Sequence, residues 1–222
     1  SENSIYKFNL ALGYADLTAI NIDKRQGKSI LSGLLSINLR NTDENILIGD
    51  ASINNLTYTN DDGKHNIGDI MFASVLDQKI IRINLRSNFA DATYVGDPNL
   101  STLISPILAC SAARSLPSLF NKEYSWDGRN FDANFNIKDM SEALSFLDAD
   151  IRISKGTQLS ASLKTDSELS LLCRSQEIRI NNSVLNGLDL KAHGRYDSGI
   201  DLDAEVNELA LNGFRAKNAH LY

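Results

Sequence analysis

With 222 residues, 42% of them hydrophobic, the chain is long enough to bury a sizeable core and too apolar to be disordered. A net charge of −6, a pI near 5.1 and 22 scattered Lys and Arg residues exclude a nucleic-acid surface, which neutralises phosphates with clustered cations. No run of about 18 apolar residues is present to cross a bilayer as a helix, and no signal-peptide pattern opens the chain.

Residues 4 to 23 alternate Tyr6, Phe8, Leu10 and Leu12 with polar neighbours, which predicts one or two β-strands with one apolar face. A turn over Asp23 to Lys28 leads to a strand from Ser29 to Arg40, then a polar connection over Thr42 to Ile46. Strands over Ile48 to Tyr58 and His65 to Leu76 flank Asn60-Asp61-Asp62-Gly63, where Asp-Gly signals a hairpin because both residues tolerate positive φ. Lys79 to Ser87 is a further strand, with Ile81, Ile83 and Leu85 on one face and Arg82, Asn84 and Arg86 on the other. Phe89 to Gly96 follows it.

The period then changes. Asp97 as N-cap, Pro98 at the first helical position, and Leu100, Leu103, Ile104, Ile107 and Leu108 at helical spacing predict a helical insert over about 97–120. Pro106 bends it and Pro117 ends it. With Arg114 as its one cation, it suits a core or edge-covering role better than an interfacial one. Asp139-Met140-Ser141-Glu142 has capping-box spacing ahead of Ala143, Leu144, Phe146 and Leu147, which predicts a short second helix.

Strands return at Asp150 to Ser154, Gln158 to Thr165, Glu168 to Arg174, Glu177 to Ile180, Leu185 to Tyr196, and from Gly199 onward. In the last of these, Ile200-Asp201-Leu202-Asp203-Ala204-Glu205-Val206 puts carboxylates on one face and apolar side chains on the other. Glu177-Ile178-Arg179-Ile180-Asn181 aligns with Glu208-Leu209-Ala210-Leu211-Asn212, a ragged repeat that suggests an elongated array. The chain begins at Ser1 and stops at Tyr222 within strand-like sequence, as expected of a piece cut from a longer protein.

Motifs for chemistry are missing. His65, His193 and His220 are isolated from one another and from Cys110 and Cys173, so no zinc pattern exists locally; the histidines read as exposed strand or turn residues and the cysteines as buried free thiols. Gly27-Lys28-Ser29 ends like a phosphate-binding loop, but Ile22 stands where that loop requires glycine. Asp201, Asp203 and Glu205 share a solvated strand face and are not a glycosidase pair. No Gly-x-Ser-x-Gly elbow occurs. The chain is therefore not expected to be an enzyme, and no cofactor or metal is predicted. Tyr124, Trp126 and nearby carboxylates are the place where a carbohydrate site would sit.

Leu85-Arg86-Ser87-Asn88-Phe89-Ala90-Asp91-Ala92-Thr93-Tyr94-Val95-Gly96, followed at once by a leucine-rich helical pattern, resembles the TamB family of Gram-negative envelope proteins, particularly its Bacteroidetes branch. Asn130 to Asp139 with its short helix, and Ile153-Ser154-Lys155-Gly156-Thr157-Gln158-Leu159, resemble segments that such proteins carry next. The similarity covers most of residues 30 to 220 and rests on the order of degenerate β patterns.

The resemblance implies a periplasmic portion of an inner-membrane-anchored protein, with a mostly β, elongated, curved, largely antiparallel sheet (a β-taco) whose concave face is hydrophobic. It also implies phospholipid transfer between the inner and outer membranes, with acyl chains as the ligand, or a scaffold role in outer-membrane protein assembly by strand addition. A partner barrel would be reached through regions outside residues 1–222, which form a single elongated β domain in this reading. No terminal barrel-docking domain is present here. By alternation, candidates for the groove are Leu35, Ile37, Leu39, Ile81, Ile83, Leu85, Ile178, Ile180, Leu188, Leu190, Leu202, Ala204, Val206, Leu209 and Leu211. The same residues would equally suit a closed core.

Overall fold

The structure, a computed structural model, describes residues 4–23, 27–42, 46–99, 128–145, 151–195, 199–211 and 214–221. The predicted helical insert and the candidates Cys110, Tyr124 and Trp126 lie outside these residues, apart from Asp97–Asn99, where Asp97 Oδ1 accepts the Asn99 N–H at 2.8 Å.

Thirteen strands form one open, curved antiparallel sheet. In chain order they are β1 (Ile5–Asp16), β2 (Ile30–Asn41), β3 (Leu47–Asn60), β4 (Gly63–Asp77), β5 (Ile80–Ser87), β6 (Ala90–Gly96), β7 (Phe131–Ile137), β8 (Ile151–Ile153), β9 (Gln158–Leu163), β10 (Glu168–Ile180), β11 (Ser183–Arg195), β12 (Gly199–Leu211) and β13 (Phe214–Leu221). Strand order follows the chain, β1 through β7 and then β9 through β13, with β8 beside β10. A single helical turn, α1 (Ser141–Leu144), precedes β8.

Several local expectations are corrected. Glu168–Arg174 and Glu177–Ile180 are one strand, β10, because the polar pair Ser175-Gln176 stays in the sheet instead of turning. At Asn60-Asp61-Asp62-Gly63 the turn is where it was expected, yet only Gly63 has positive φ (+144°). Asn60 Oδ1 accepts the N–H groups of Asp62 (3.0 Å) and Gly63 (3.1 Å), so a side chain closes the turn in place of a second left-handed residue. At α1 the N-cap is Met140 and makes no side-chain cap bond. Asp139 instead accepts from the N–H and hydroxyl of Ser141, which holds its carboxyl below the usual range, while Glu142 reaches across to His65.

Two buried clusters hold the first half of the sheet. Ile46, Ile48, Ile81 and Tyr94 form one, with Phe131 stacked on Tyr94 at 6.2 Å between ring centroids. Leu56, Tyr58 and Ile67 form the other, beneath Phe89 and Ala143 of α1. Burying a side chain of this kind stabilises by about 1.5–3 kcal/mol.

Candidate functional site

In an antiparallel pair, residues directly opposite one another share a face, so the strand registers define transverse rows across the sheet. One such row runs through every strand of the main path: Phe8, Ile37, Ala51, Phe72, Leu85, Ala92, Phe135, Leu159, Cys173, Leu190, Ala204 and Leu221. All twelve side chains are apolar. One residue along, on the opposite face, the row reads Asn9, Ser36, Ser52, Met71, Arg86, Asp91, Asn136, Gln158, Arg174, Asp189, Glu205 and His220. Only Met71 is apolar there. No twelve-strand coincidence of this kind follows from composition alone; each strand's two-residue alternation has to enter the sheet in phase with its neighbours.

Parallel rows flank the apolar one on the same face. Tyr6, Leu39, Gly49, Ser74, Ile83, Tyr94, Ala133, Ala161, Leu171, Ala192 and Leu202 line up on one side, and beyond them Leu76, Ile81, Gly96, Phe131, Leu163, Leu169, Gly194 and Ile200. On the other side lie Leu10, Leu35, Ile53, Ile70 and Ser87, continued in the second half by Ser175 with Leu188 and Val206 with Ala219. None of these side chains is charged. Four rows at about 3.3 Å per residue make a band about 20 Å wide, and twelve strands at about 4.8 Å spacing make it about 50 Å long.

The central row is open to solvent. Phe8, Phe135, Leu159 and Leu221 are exposed, by 36–58%, and the other eight side chains are half-buried. Burial pushes the Cys173 thiol pKa up, as expected of a free thiol among apolar neighbours. Two concavities of about 430 Å³ indent the sheet, one mainly on the opposite face among Asp91, Thr93, Asn134, Asn136, Gln158 and Leu172, and one at Ile5, Leu39, Arg40, Ile48 and Leu76. The opposite face is kept wet by ion pairs of Lys138 with Asp91 (2.7 Å) and Arg174 with Asp189 (3.2 Å), and by a hydrogen bond between His220 Nε2 and Asp203 Oδ1 (2.8 Å). Solvent screens exposed contacts of this kind, so they solubilise more than they stabilise.

A crease bounds the band. Asn55 (φ +54°) in β3, Gly68 (+85°) in β4, Gly187 (+62°) in β11 and Asn218 (+49°) in β13 all adopt left-handed backbone at the same level of the sheet. The ladder is irregular there as well. The β3–β4 register shifts between Ile53 and Leu56, and no bridge forms at Gln176 between β10 and β11. The Ser154–Thr157 turn separates β8 from β9, with Thr157 and Ser175 hydroxyls bonded at 2.7 Å. A Cβ on Gly68 would strike the Asn88 side chain, and one on Gly187 would strike Asn207. Such a residue bends its strand and shifts the alternation by one. In the first half the shift keeps apolar side chains together, since Ile53 and Ile70 before the crease pack on Leu56, Tyr58 and Ile67 beyond it.

The sequence candidates divide at this line. Leu35, Ile37, Leu39, Ile81, Ile83, Leu85, Leu188, Leu190, Leu202, Ala204 and Val206 share the uncharged band. Ile178, Ile180, Leu209 and Leu211 lie beyond the crease at the opposite parity, in a separate row where Ile153, Ile178, Leu185, Leu209 and Ala216 face one another. Ile81 is buried in the core, and Ile180, Leu202 and Leu211 are exposed. The groove candidates leave out Ala51, Phe72, Ala92, Phe135, Leu159 and Leu221, and also Phe8, whose apolar face alternation does show; each becomes part of the band only through register.

No family model, no curated protein and no solved structure matches this chain. The likeness to TamB therefore rests on the residues quoted for it. Among the described residues no group of His, Cys, Asp and Glu could hold a metal ion, and no helix is long and apolar enough to cross a membrane. His65 is not the exposed residue its sequence context suggests: it stacks on Tyr58 and meets Glu142 Oε2 and Asn60 Oδ1 at 3.1 Å each, tying α1 to β4.

Proposed function

We propose that the uncharged band carries lipid acyl chains, and that the chain is a segment of a periplasm-spanning, inner-membrane-anchored envelope protein that transfers phospholipid between membranes. The observation behind this reading is the unbroken apolar row across twelve strands. A chain of about sixteen carbons leaving a bilayer exposes methylenes at about 0.8 kcal/mol each, a barrier on the order of 10 kcal/mol. A continuous apolar surface removes that barrier at every step along its length. Photoreactive side chains placed at Leu190 and Leu202 are expected to capture phospholipid, and ones at Asp189 and Asp203 are not. Equal capture at both pairs would sink the proposal.

A second reading, a scaffold that adds client strands in outer-membrane protein assembly, draws on the open antiparallel sheet. It predicts backbone pairing with extended peptides and indifference to a charge placed in the band at Leu190.

A further inference from the structure

His65 has an acceptor at each ring nitrogen. Nδ1 lies 3.1 Å from Glu142 Oε2 and Nε2 lies 3.1 Å from Asn60 Oδ1. The Asn60 amide cannot turn round, because its oxygen already accepts the N–H groups of Asp62 and Gly63. Glu142 is exposed to solvent, and an ionised carboxylate offers only acceptors. A neutral imidazole has one N–H, so it meets one of the two oxygens with a lone pair; the imidazolium donates to both. Tyr58 stacks on the ring from β3. The remaining charged groups nearby are turned elsewhere: Lys64 alternates to the other face of β4, Asp61 accepts the Lys28 N–H, and Asp139 accepts from Ser141.

Among the described residues, Glu142 to His65 is the one polar side-chain contact between α1 and a strand. Ala143 of the same turn packs on Leu56, Tyr58 and Ile67. On its other side α1 borders a concavity of about 480 Å³ against β8, lined by Leu144, Ser145, Ile151 and Ile153 with Asp139, Arg152 and Glu177. One short turn, room beside it and a single charged tie make a lid. We propose that His65 is a proton-operated latch: the imidazolium holds α1 against the sheet, and loss of its proton releases α1 from the apolar cluster. The tie is complete at low pH and loses one bond as pH rises through the range of about 5 to 8 where histidine changes charge. Release uncovers Leu56, Tyr58 and Ile67 next to Ile53 and Ile70, extending the band across the crease. The latch is independent of what the band carries.

Hydrogen exchange of the full chain, corrected for the intrinsic effect of pH, reads the latch at the amides of residues 141–145 and of Tyr58 and Ile67. Between pH ~5.5 and pH ~8.5 their protection is expected to fall about tenfold, the loss of one charge-assisted bond, while β5 amides stay unchanged. His65→Ala is expected to exchange fast in this segment at both pH values, again with β5 unchanged. Protection in the parent chain that does not vary with pH, or that falls equally in β5, overturns the proposal.

Glu142→Gln tests the chemistry at an exposed position where folding is not at stake. Its carboxamide donates to a neutral Nδ1 or accepts from a protonated one, so the tie is satisfied in both states of the ring. Exchange at residues 141–145 is expected to become independent of pH and to stay slow. A variant that keeps the parent's pH dependence shows that His65 and Glu142 do not form the switch. Nitrogen NMR of the ring gives a direct reading: both His65 nitrogens are expected to carry protons wherever α1 is protected, and a neutral ring beneath a protected α1 refutes the latch.

Discussion

The first half of the sheet, β1 to β7, and the second, β9 to β13, use the same alternation, but only the first turns it into a core. Almost all fully buried apolar residues, among them Ile48, Tyr58, Ile81 and Ile137, belong to the first half; Leu163 and Ala192 are the exceptions. The cause is what folds over the strands. Ile46 comes from the β2–β3 connection, and Phe89 and Ala143 from segments next to the crease, and they give the first half a second layer. In β10 to β12 the band residues Leu171, Leu190 and Val206 remain half-buried. Alternation decides which side is greasy. Whether that side is sealed depends on connections that alternation does not describe.

The largest expected effect separates the halves directly. Ile81→Ala removes a side chain that is 4% exposed and leaves a cavity, a loss of about 2–5 kcal/mol, whereas Leu190→Ala on a half-buried position costs about 1 kcal/mol. Urea unfolding of both variants measures the difference, and equal losses would mean that the second half is sealed as well. Next in size is Leu190→Asp. A charge on an open band stays hydrated, so unfolding midpoints should shift little while phospholipid capture at Leu202 falls; a large loss of stability would again indicate a closed core.

Tyr94 sharpens the comparison from the buried side. Its hydroxyl donates to the Asp97 carbonyl at 2.6 Å, and burial raises its pKa to about 12. The unfolded chain releases this proton near pH ~10, before the folded chain does. The tyrosine's contribution is therefore complete below that pH and is lost as pH rises toward 12. Absorbance titration should show a late tyrosine that Tyr94→Phe removes, and the same substitution should flatten the alkaline limb of the stability curve. The smallest effect lies on the wet face, where Lys138 holds the Asp91 carboxyl below its usual range. That contribution is present above the ordinary carboxylate pKa and fades as pH falls through the lowered one. Lys138→Met should move the Asp91 midpoint, followed by NMR, back up with little change in unfolding.

Most of the strands were legible because each alternates within itself: Ile81, Ile83 and Leu85 announce a face without help from neighbours. The Asn60 turn was legible too, although its closure by a side chain was not. The crease was not read, and its signal was present. Apolar spacing slips from two residues to three at Ile53 to Leu56, Ile67 to Ile70, Leu185 to Leu188 and Val206 to Leu209. Taken alone each slip is noise, and only register shows that they fall on one line. This is also why Ile178, Ile180, Leu209 and Leu211 were grouped with residues on the near side. His65 gave no signal, since its partners Asn60 and Glu142 are 5 and 77 residues away.

Because strand order follows chain order, almost every contact in the sheet is made between neighbours along the polypeptide. Loop closure is then cheap everywhere, and assembly can start at any hairpin and spread. Length becomes an adjustable quantity: inserting or deleting one hairpin changes the sheet by two strands, about 10 Å, and leaves the phase of every other row intact. A single added strand would reverse the direction of all that follow, so a sheet built this way grows in even steps.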